Sequence, residues 1–222
     1  VFKMANESKI VTLKNGYHVW TRKEGHGPIK ILLLHGGPGM DHEYLEPFSD
    51  YIKIHPEIEI IYYDQLGSYF SDQPNDPKLW TIPRFIEEIE EVRKAWDLDQ
   101  FYLYGQSFGG LFALEYAASK YGKHVKALID SNMVDSYQDY AKYINKYRES
   151  MDPADVSYMK KQEERHNYDD PHYQELLMKL YHRCICRISP WPDAVQRTFD
   201  HMNEQVYVLS LIHISEPTRR SY

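Results

Sequence analysis

The sequence predicts an α/β chain built on a mostly parallel central sheet, and three observations carry that expectation. Four short apolar runs, "IKILLL", "IEIIYY", "FYLY" and "VKALID", are continuous rather than alternating, the pattern of strands buried on both faces. Helical patterns separate them, as parallel connections require. The first three runs break off in the polar, glycine-bearing loops "HGGPG", "DQLGSYFSD" and "GQSFGG", and the fourth stops near Ser131.

The elements follow in order. "KIVTLKNGYHVWTRKEG" alternates around Asn15-Gly16 and reads as a β-hairpin. "IPRFIEEIEEVRKAW" places Ile82, Phe85, Ile86, Ile89, Val92 and Trp96 on one helical stripe, with Glu90 and Lys94 spaced to pair on the wet side. "SFGGLFALEYAASKYG" reads as a helix carrying Phe108, Leu111, Phe112 and Ala118, with Gly122 as its C-cap. After about residue 134 the chain turns polar, tyrosine-rich and helix-patterned, with helix starts at Asp152-Pro153 and Asp170-Pro171. Residues 1–134 are therefore expected to form the N-terminal part of a core and 135–203 a helical cap inserted over the sheet. Within "HMNEQVYV", residues 204–208 are expected to begin a strand returning to that core.

Composition narrows the function classes. Of 222 residues, 42% are hydrophobic and 27% charged, an ordinary globular balance for one large domain or a domain with an insertion. A net charge of −7 argues against nucleic acid as a partner, because phosphate contacts need clustered Lys and Arg. No apolar run reaches membrane-spanning length, and "VFKMANESKI" has no apolar signal core; Met4 is a candidate start, with three residues read through before it. Cys184 and Cys186 stand too close for an easy disulfide and, even with His182 nearby, fall short of a zinc pattern. They read as reduced thiols, and a cytoplasmic location is expected.

Gly105-Gln106-Ser107-Phe108-Gly109 matches a nucleophile elbow. An apolar strand ends at Tyr104 and a helix begins at Phe108, so Ser107 falls on a sharp turn where Gly105 and Gly109 remove clashing side chains. The plain alternative is a glycine-rich turn with an incidental serine. His35-Gly36-Gly37-Pro38-Gly39 follows the first parallel strand and reads as an oxyanion loop. Its candidate donor is the Gly37 N–H, with Gly36 as fallback, acting beside the Phe108 N–H; one such donor is worth about 3 kcal/mol in the transition state. Pro38 stiffens that loop, and His35 reads as a hydrogen-bonding brace rather than a base. Asp64, followed by Gln65, precedes the nucleophile in sequence, so it reads as a loop-bracing carboxylate and not as a triad acid.

"HGGPG", "DQLGSYFSDQP" and "GQSFGG", in that order and each at a strand end, resemble the proline iminopeptidase family of α/β-hydrolases; "HRCICRISPWP" resembles that family's cap, and the likeness runs from about Lys9 to Val208. "DQLGSYFSD" lacks the second glycine of the commoner "DQRGxGxS" form, which places the chain in a divergent branch. The resemblance implies an α/β-hydrolase fold with a helical cap, and a serine peptidase that removes N-terminal residues, above all proline, from short peptides with a free N-terminus. It implies no metal and no cofactor, and acidic cap residues that grip the substrate amine. Glu163, Glu164 and Glu175 lie in the cap, and none is assigned that role. Two alternatives stand beside it: another cap-bearing hydrolase acting on small esters or amides, and a non-catalytic descendant that only binds. The intact elbow and oxyanion loop count against the second.

A serine nucleophile needs a base, and six of the eleven histidines follow Ser107. His124 precedes a strand, at its wrong end; His166, His172 and His182 fall in the cap, and His201 sits just before the expected break near Val208. None qualifies. In this fold the acid and histidine come after two further strands, for which the last fourteen residues, "LSLIHISEPTRRSY", leave no room. Leu209–Arg219 also resembles the translation of a transposase adaptor used in DNA sequencing libraries. The expectation is a chain cut near Val208, with 209–222 (His213 among them) foreign, no triad acid or histidine present, and the last strands missing. Such a chain is expected to be inactive and poorly soluble, with an unpaired sheet edge.

Overall fold

The computed structural model describes residues 6–133 and 137–207. The chain divides into two compact units: one runs to Asp135 and resumes at Ala194, the other is Ser136–Asp193.

The first unit is a six-stranded sheet in the order β1-β2-β4-β3-β5-β6. The strands are β1 (Glu7–Thr12), β2 (His18–Gly25), β3 (Ile29–Leu34), β4 (Ile58–Tyr63), β5 (Phe101–Gln106) and β6 (Val125–Ser131). β1 and β2 form the antiparallel hairpin, closed at Lys14–Gly16 where Gly16 N–H donates to Leu13 O (2.9 Å). β2 pairs antiparallel with β4, and every pair from β4 to β6 is parallel. Among the described residues β5 is the one strand that pairs with β6.

The helices are α1 (Pro47–Ile54), α2 (Ile82–Ala95) and α3 (Phe108–Ala118). For β3 and β4 the continuous apolar runs have the reason expected of them, whereas β6 has no fully buried residue. Leu32 and Leu34 of β3 join Ile61, Tyr63, Phe85, Ile89, Val92 and Phe112 in one cluster. Leu33 instead packs with Ile60, Tyr62, Leu45 and Ile52 in a second. The sheet is thus covered on both faces, by α2 and α3 on one and by α1 on the other, and each fully buried Leu or Ile contributes about 2 kcal/mol. The α2 stripe behaves as its spacing predicts, with Phe85, Ile86, Ile89, Val92 and Trp96 all buried.

Three local expectations are corrected. Glu90 is not on the wet face: it is buried, accepting from Arg93 Nε (2.8 Å) and Tyr116 Oη (2.8 Å), and Lys94 only reaches in at 3.2 Å. Helix α3 ends at Ala118, capped by Ser119 N–H donating to Tyr116 O, and Gly122 instead opens a short 3-10 turn. Residues 204–207 form a helical turn rather than a strand, because Asn203 caps it: its side-chain oxygen accepts from Val206 N–H (3.2 Å) and its carbonyl from Tyr207 N–H (3.0 Å). Val206 is buried in the first core cluster.

The second unit is helical. It contains α4 (Tyr137–Glu149), α5 (Pro153–Glu164) and α6 (Pro171–Cys184), and α7 (Asp193–Asp200) begins at its last residue. Asp152 caps α5 by accepting from Ala154 N–H (2.8 Å), and Asp170 caps α6 by accepting from Tyr173 N–H (2.9 Å). Met159, Tyr173 and Leu176 form its core. The expected cap boundary at 203 falls beyond this unit, since the segment from Ala194 groups with the sheet. Met4, Val208 and the expected foreign tail with His213 lie outside the described residues.

Candidate active site

Strand β5 ends at Gln106 and α3 begins at Phe108, so Ser107 alone makes the turn. Its backbone sits at φ +54°, ψ −130°, a conformation L-residues rarely adopt. Ser107 N–H donates to Ser131 O at the end of β6 (2.9 Å), and its carbonyl accepts from Gly110 N–H (2.8 Å), which clamps the turn. A Cβ on Gly109 would fall 2.7 Å from His35 O and closer still to Leu34 O; on Gly105 it would fall 2.7 Å from Gly110 Cα. The sharp turn therefore exists only with glycine at both places. Ser107 is half-buried over the N-terminus of α3, where the helix favours negative charge. Its hydroxyl makes no hydrogen bond among the described residues.

The loop His35–Gly39 leaves β3 beside this turn, with Gly36 so close that a Cβ there would lie 2.8 Å from Ser107 Cβ. The His35 ring is buried: Nε2 accepts from Gln65 N–H (3.0 Å) and Nδ1 donates to Gly36 O (2.8 Å). Gln65 also donates from Nε2 to His35 O (2.7 Å). Burial pushes this imidazole down to about 4 while the nearby Asp64 carboxylate pulls the other way, so the ring is a neutral brace at ordinary pH. The Gly36 N–H donates to Tyr44 Oη (2.7 Å), whose own proton goes to Gln106 Oε1 (2.7 Å). The Gly37 N–H, at φ +115°, makes no hydrogen bond among the described residues. Pro38 offers no N–H, and Gly39 O accepts from Asn203 N–H (2.7 Å).

Asp64 is buried and faces His42. Its Oδ1 accepts from His42 N–H (2.9 Å) and meets His42 Nδ1 (2.8 Å), and its Oδ2 accepts from Phe70 N–H (3.3 Å). The carboxylate thus ties the loop after β3 to the loop after β4. Next to it, burial pushes the Asp41 carboxyl up to about 6, against hydrogen bonds from Thr198 and the Glu43 amide. His42, Tyr44, Asp41 and Glu43 escaped the sequence reading, and His201 was weighed there only as a catalytic base. Only the position of "MDHEY" directly after the glycine loop could have drawn attention to the first four.

The described histidines after Ser107 are engaged elsewhere. His124 Nδ1 lies 2.9 Å from Asp99 O, before β6 begins, and His201 Nδ1 lies 2.7 Å from Glu43 Oε2. His172 sits 3.4 Å from Glu175, His182 packs on the Trp191 ring (5.1 Å) and His166 on Tyr168 (6.2 Å). Cys184 and Cys186 are unpaired, and Cys184 donates to Leu180 O (3.0 Å). Glu163 accepts from Tyr173 Oη (3.1 Å) and pairs with Arg148 (2.9 Å). Among the described residues, the group with metal-ligand spacing is Asp41, Glu43 and His201. No described helix is long and apolar enough to cross a membrane.

Comparison with known proteins places these features in company. The family model of the alpha/beta hydrolase fold matches residues 30–160. The proline iminopeptidase of Elizabethkingia meningoseptica is 45% identical over 204 residues, covering 90% of this chain and 68% of that protein. The one from Flavobacterium johnsoniae is 43% identical over 205 residues, with the same two coverages of 90% and 68%. Among solved structures, VinJ superposes with a TM-score of 0.85 at 26% identity, covering 91% of this chain and 70% of VinJ. A Mycobacterium smegmatis proline iminopeptidase gives a TM-score of 0.77 at 23% identity, over 90% of this chain and 69% of the other, and speaks to the fold.

Proposed function

The chain belongs to the proline iminopeptidase family of α/β-hydrolases, an aminopeptidase-type branch of that fold, and from that premise we propose that its gene encodes a serine aminopeptidase releasing proline, or another N-terminal residue, from short peptides. The observation that carries the proposal is the backbone of Ser107, held at φ +54°, ψ −130° between β5 and α3. A serine so strained is presented at the tip of the turn, where its hydroxyl can reach a substrate carbonyl.

In this reading Ser107 Oγ attacks the carbonyl carbon of the first residue. The tetrahedral oxyanion is received by the Gly37 and Phe108 N–H groups, and the amine of the second residue leaves as the acyl-enzyme forms. Water then attacks the ester, which frees the N-terminal amino acid and restores Ser107. Engagement of the Gly36 N–H by Tyr44 favours Gly37 over the fallback donor. The proton of Ser107 needs a histidine that the described residues do not bring to it, so in this reading catalysis requires one from outside them. Without it, turnover falls by about a millionfold.

The test compares this chain with the product of the same reading frame carried through two further strands. An unblocked Pro-arylamide and a simple aryl ester serve as substrates. The longer protein is expected to cleave the Pro-arylamide, Ser107→Ala to abolish cleavage, and the present chain to show no turnover above background. Good ester cleavage with an untouched Pro-arylamide would sink the peptidase reading. Fast turnover by the present chain would sink the missing-base reading.

A further inference from the structure

Directly after the glycine loop, three donor atoms converge that the peptidase chemistry does not use. Asp41 is 0% exposed; its Oδ1 accepts from Glu43 N–H (2.9 Å) and Thr198 Oγ1 (2.6 Å). Its other oxygen, Oδ2, is buried without any hydrogen-bond partner and lies 3.7 Å from His201 Nδ1. The same Nδ1 lies 2.7 Å from Glu43 Oε2. The second Glu43 oxygen is taken by Arg197, whose other terminal nitrogen donates to Glu46 (2.7 Å). The His201 ring lies flat on Tyr69, with centroids 3.9 Å apart and planes at 9°, which fixes the edge it presents.

We propose that Asp41 Oδ2, Glu43 Oε2 and His201 Nδ1 form a binding site for one divalent transition-metal ion of the zinc, cobalt or manganese class. An imidazolium here can serve only one carboxylate at hydrogen-bond distance, and Asp41 Oδ2 is left unpaired; a dication serves all three donors at once. An unpaired buried carboxylate oxygen is costly, and natural structures resolve it by pairing or by metal coordination. The spacing agrees. Donors at about 2.1 Å from a tetrahedral ion stand about 3.4 Å apart, between the two separations to His201 Nδ1. One donor atom from each of the three residues lies within 4.8 Å of the other two. A mixed oxygen and imidazole set selects these ions over calcium and magnesium, which take oxygen alone. His201 is half-exposed, which gives the ion an entry path and leaves positions for water.

The site is structural. It joins the end of α7 to the segment after β3, and none of its donors belongs to the Ser107 turn or to the oxyanion loop. The proposal therefore stands apart from the peptidase reading.

The test is a titration of the whole chain with ZnCl2 followed by calorimetry, and with CoCl2 followed by the visible absorption of bound Co2+. Both are repeated in a Cys184→Ser/Cys186→Ser background to remove the thiols as competing ligands. One equivalent is expected to bind in both backgrounds. At about a hundred times the Kd it should raise the melting temperature by about 5 °C or more. His201→Ala, a half-exposed position past the end of α7, should weaken binding by at least about tenfold, as should Glu43→Gln. The metal-free melt of each variant shows that it folds. Absence of binding to the unsubstituted chain would overturn the proposal, as would affinity unchanged by His201→Ala. Loss of binding in the double serine background, or equal affinity for Mg2+, would do the same.

Discussion

Ser107→Gly tests the turn without requiring any catalysis. Ser107 sits at φ +54°, ψ −130°, and non-glycine residues held in such regions cost of order 1–3 kcal/mol. Glycine escapes that cost but gives back about 0.5–1 kcal/mol of backbone entropy. The Ser107 hydroxyl has no hydrogen-bond partner among the described residues, so Ser107→Ala keeps the strain and loses little. Ser107→Gly should therefore be more stable than Ser107→Ala by about 0.5–2 kcal/mol, although at an ordinary helix start the same comparison is small or reversed. For a chain of this size that corresponds to about 2–6 °C in the melting midpoint. Thermal and urea melts of the two variants, side by side, give the answer. A glycine variant melting at or below the alanine variant would refute the strained-elbow geometry, and with it the observation on which the proposed function rests.

Three further outcomes are expected. Gly109→Ala puts a Cβ against the Leu34 and His35 carbonyls, backbone atoms that cannot swing away, and should cost about 3 kcal/mol or more in urea unfolding. An alanine tolerated at less than 1 kcal/mol (about the noise of extrapolation) would show that the strand-to-helix contact is looser than described. Stability should fall as pH drops from about 6.5 toward 4. The His35 imidazole, faced by Asp64 and His42 and held neutral in the fold to about 4, takes up its proton in the unfolded chain near 6.5. His35→Gln should flatten that limb of the pH–stability curve, and an unchanged slope would remove His35 as its cause. Ile129, 45% exposed on β6, sits on a strand paired on one side only among the described residues. Ile129→Lys should reduce self-association, read by light scattering, without moving the melt; equal aggregation would exonerate this edge.

What could be read in the sequence, and what could not, divides by the range of the interaction. The elbow was legible because its signature is local, an apolar strand, two glycines and an apolar helix start within residues 101–112, although the contacts that require Gly109 come from Leu34 and His35. The stripe on α2 was legible for the same reason, as a 3.6-residue period. Glu90 was misread because its spacing to Lys94 is local, whereas the partner that draws it inward, Tyr116, is 26 residues away and on another helix. The turn at 204–207 was misread although its signal was local too: Asn203-Glu204 is a helix-start pair, and "VYV" outweighed it.

The pairings of Asp64 with His42 and Asp41 with Thr198 had no local signature at all, since the fold brings together segments 22 and 157 residues apart. A catalytic base belongs to this second class. A nucleophile can be recognised from the turn that strains it, but the histidine that would activate it is defined only by where the fold delivers a loop. That asymmetry explains why Ser107 could be singled out from "GQSFGG" alone. It also explains why each of the six later histidines had to be weighed by position instead of by motif. The proposed metal ligands fall between the two cases. Asp41 and Glu43 are two residues apart and visible together, while His201 joins them across 158 residues, and no spacing rule reaches that far.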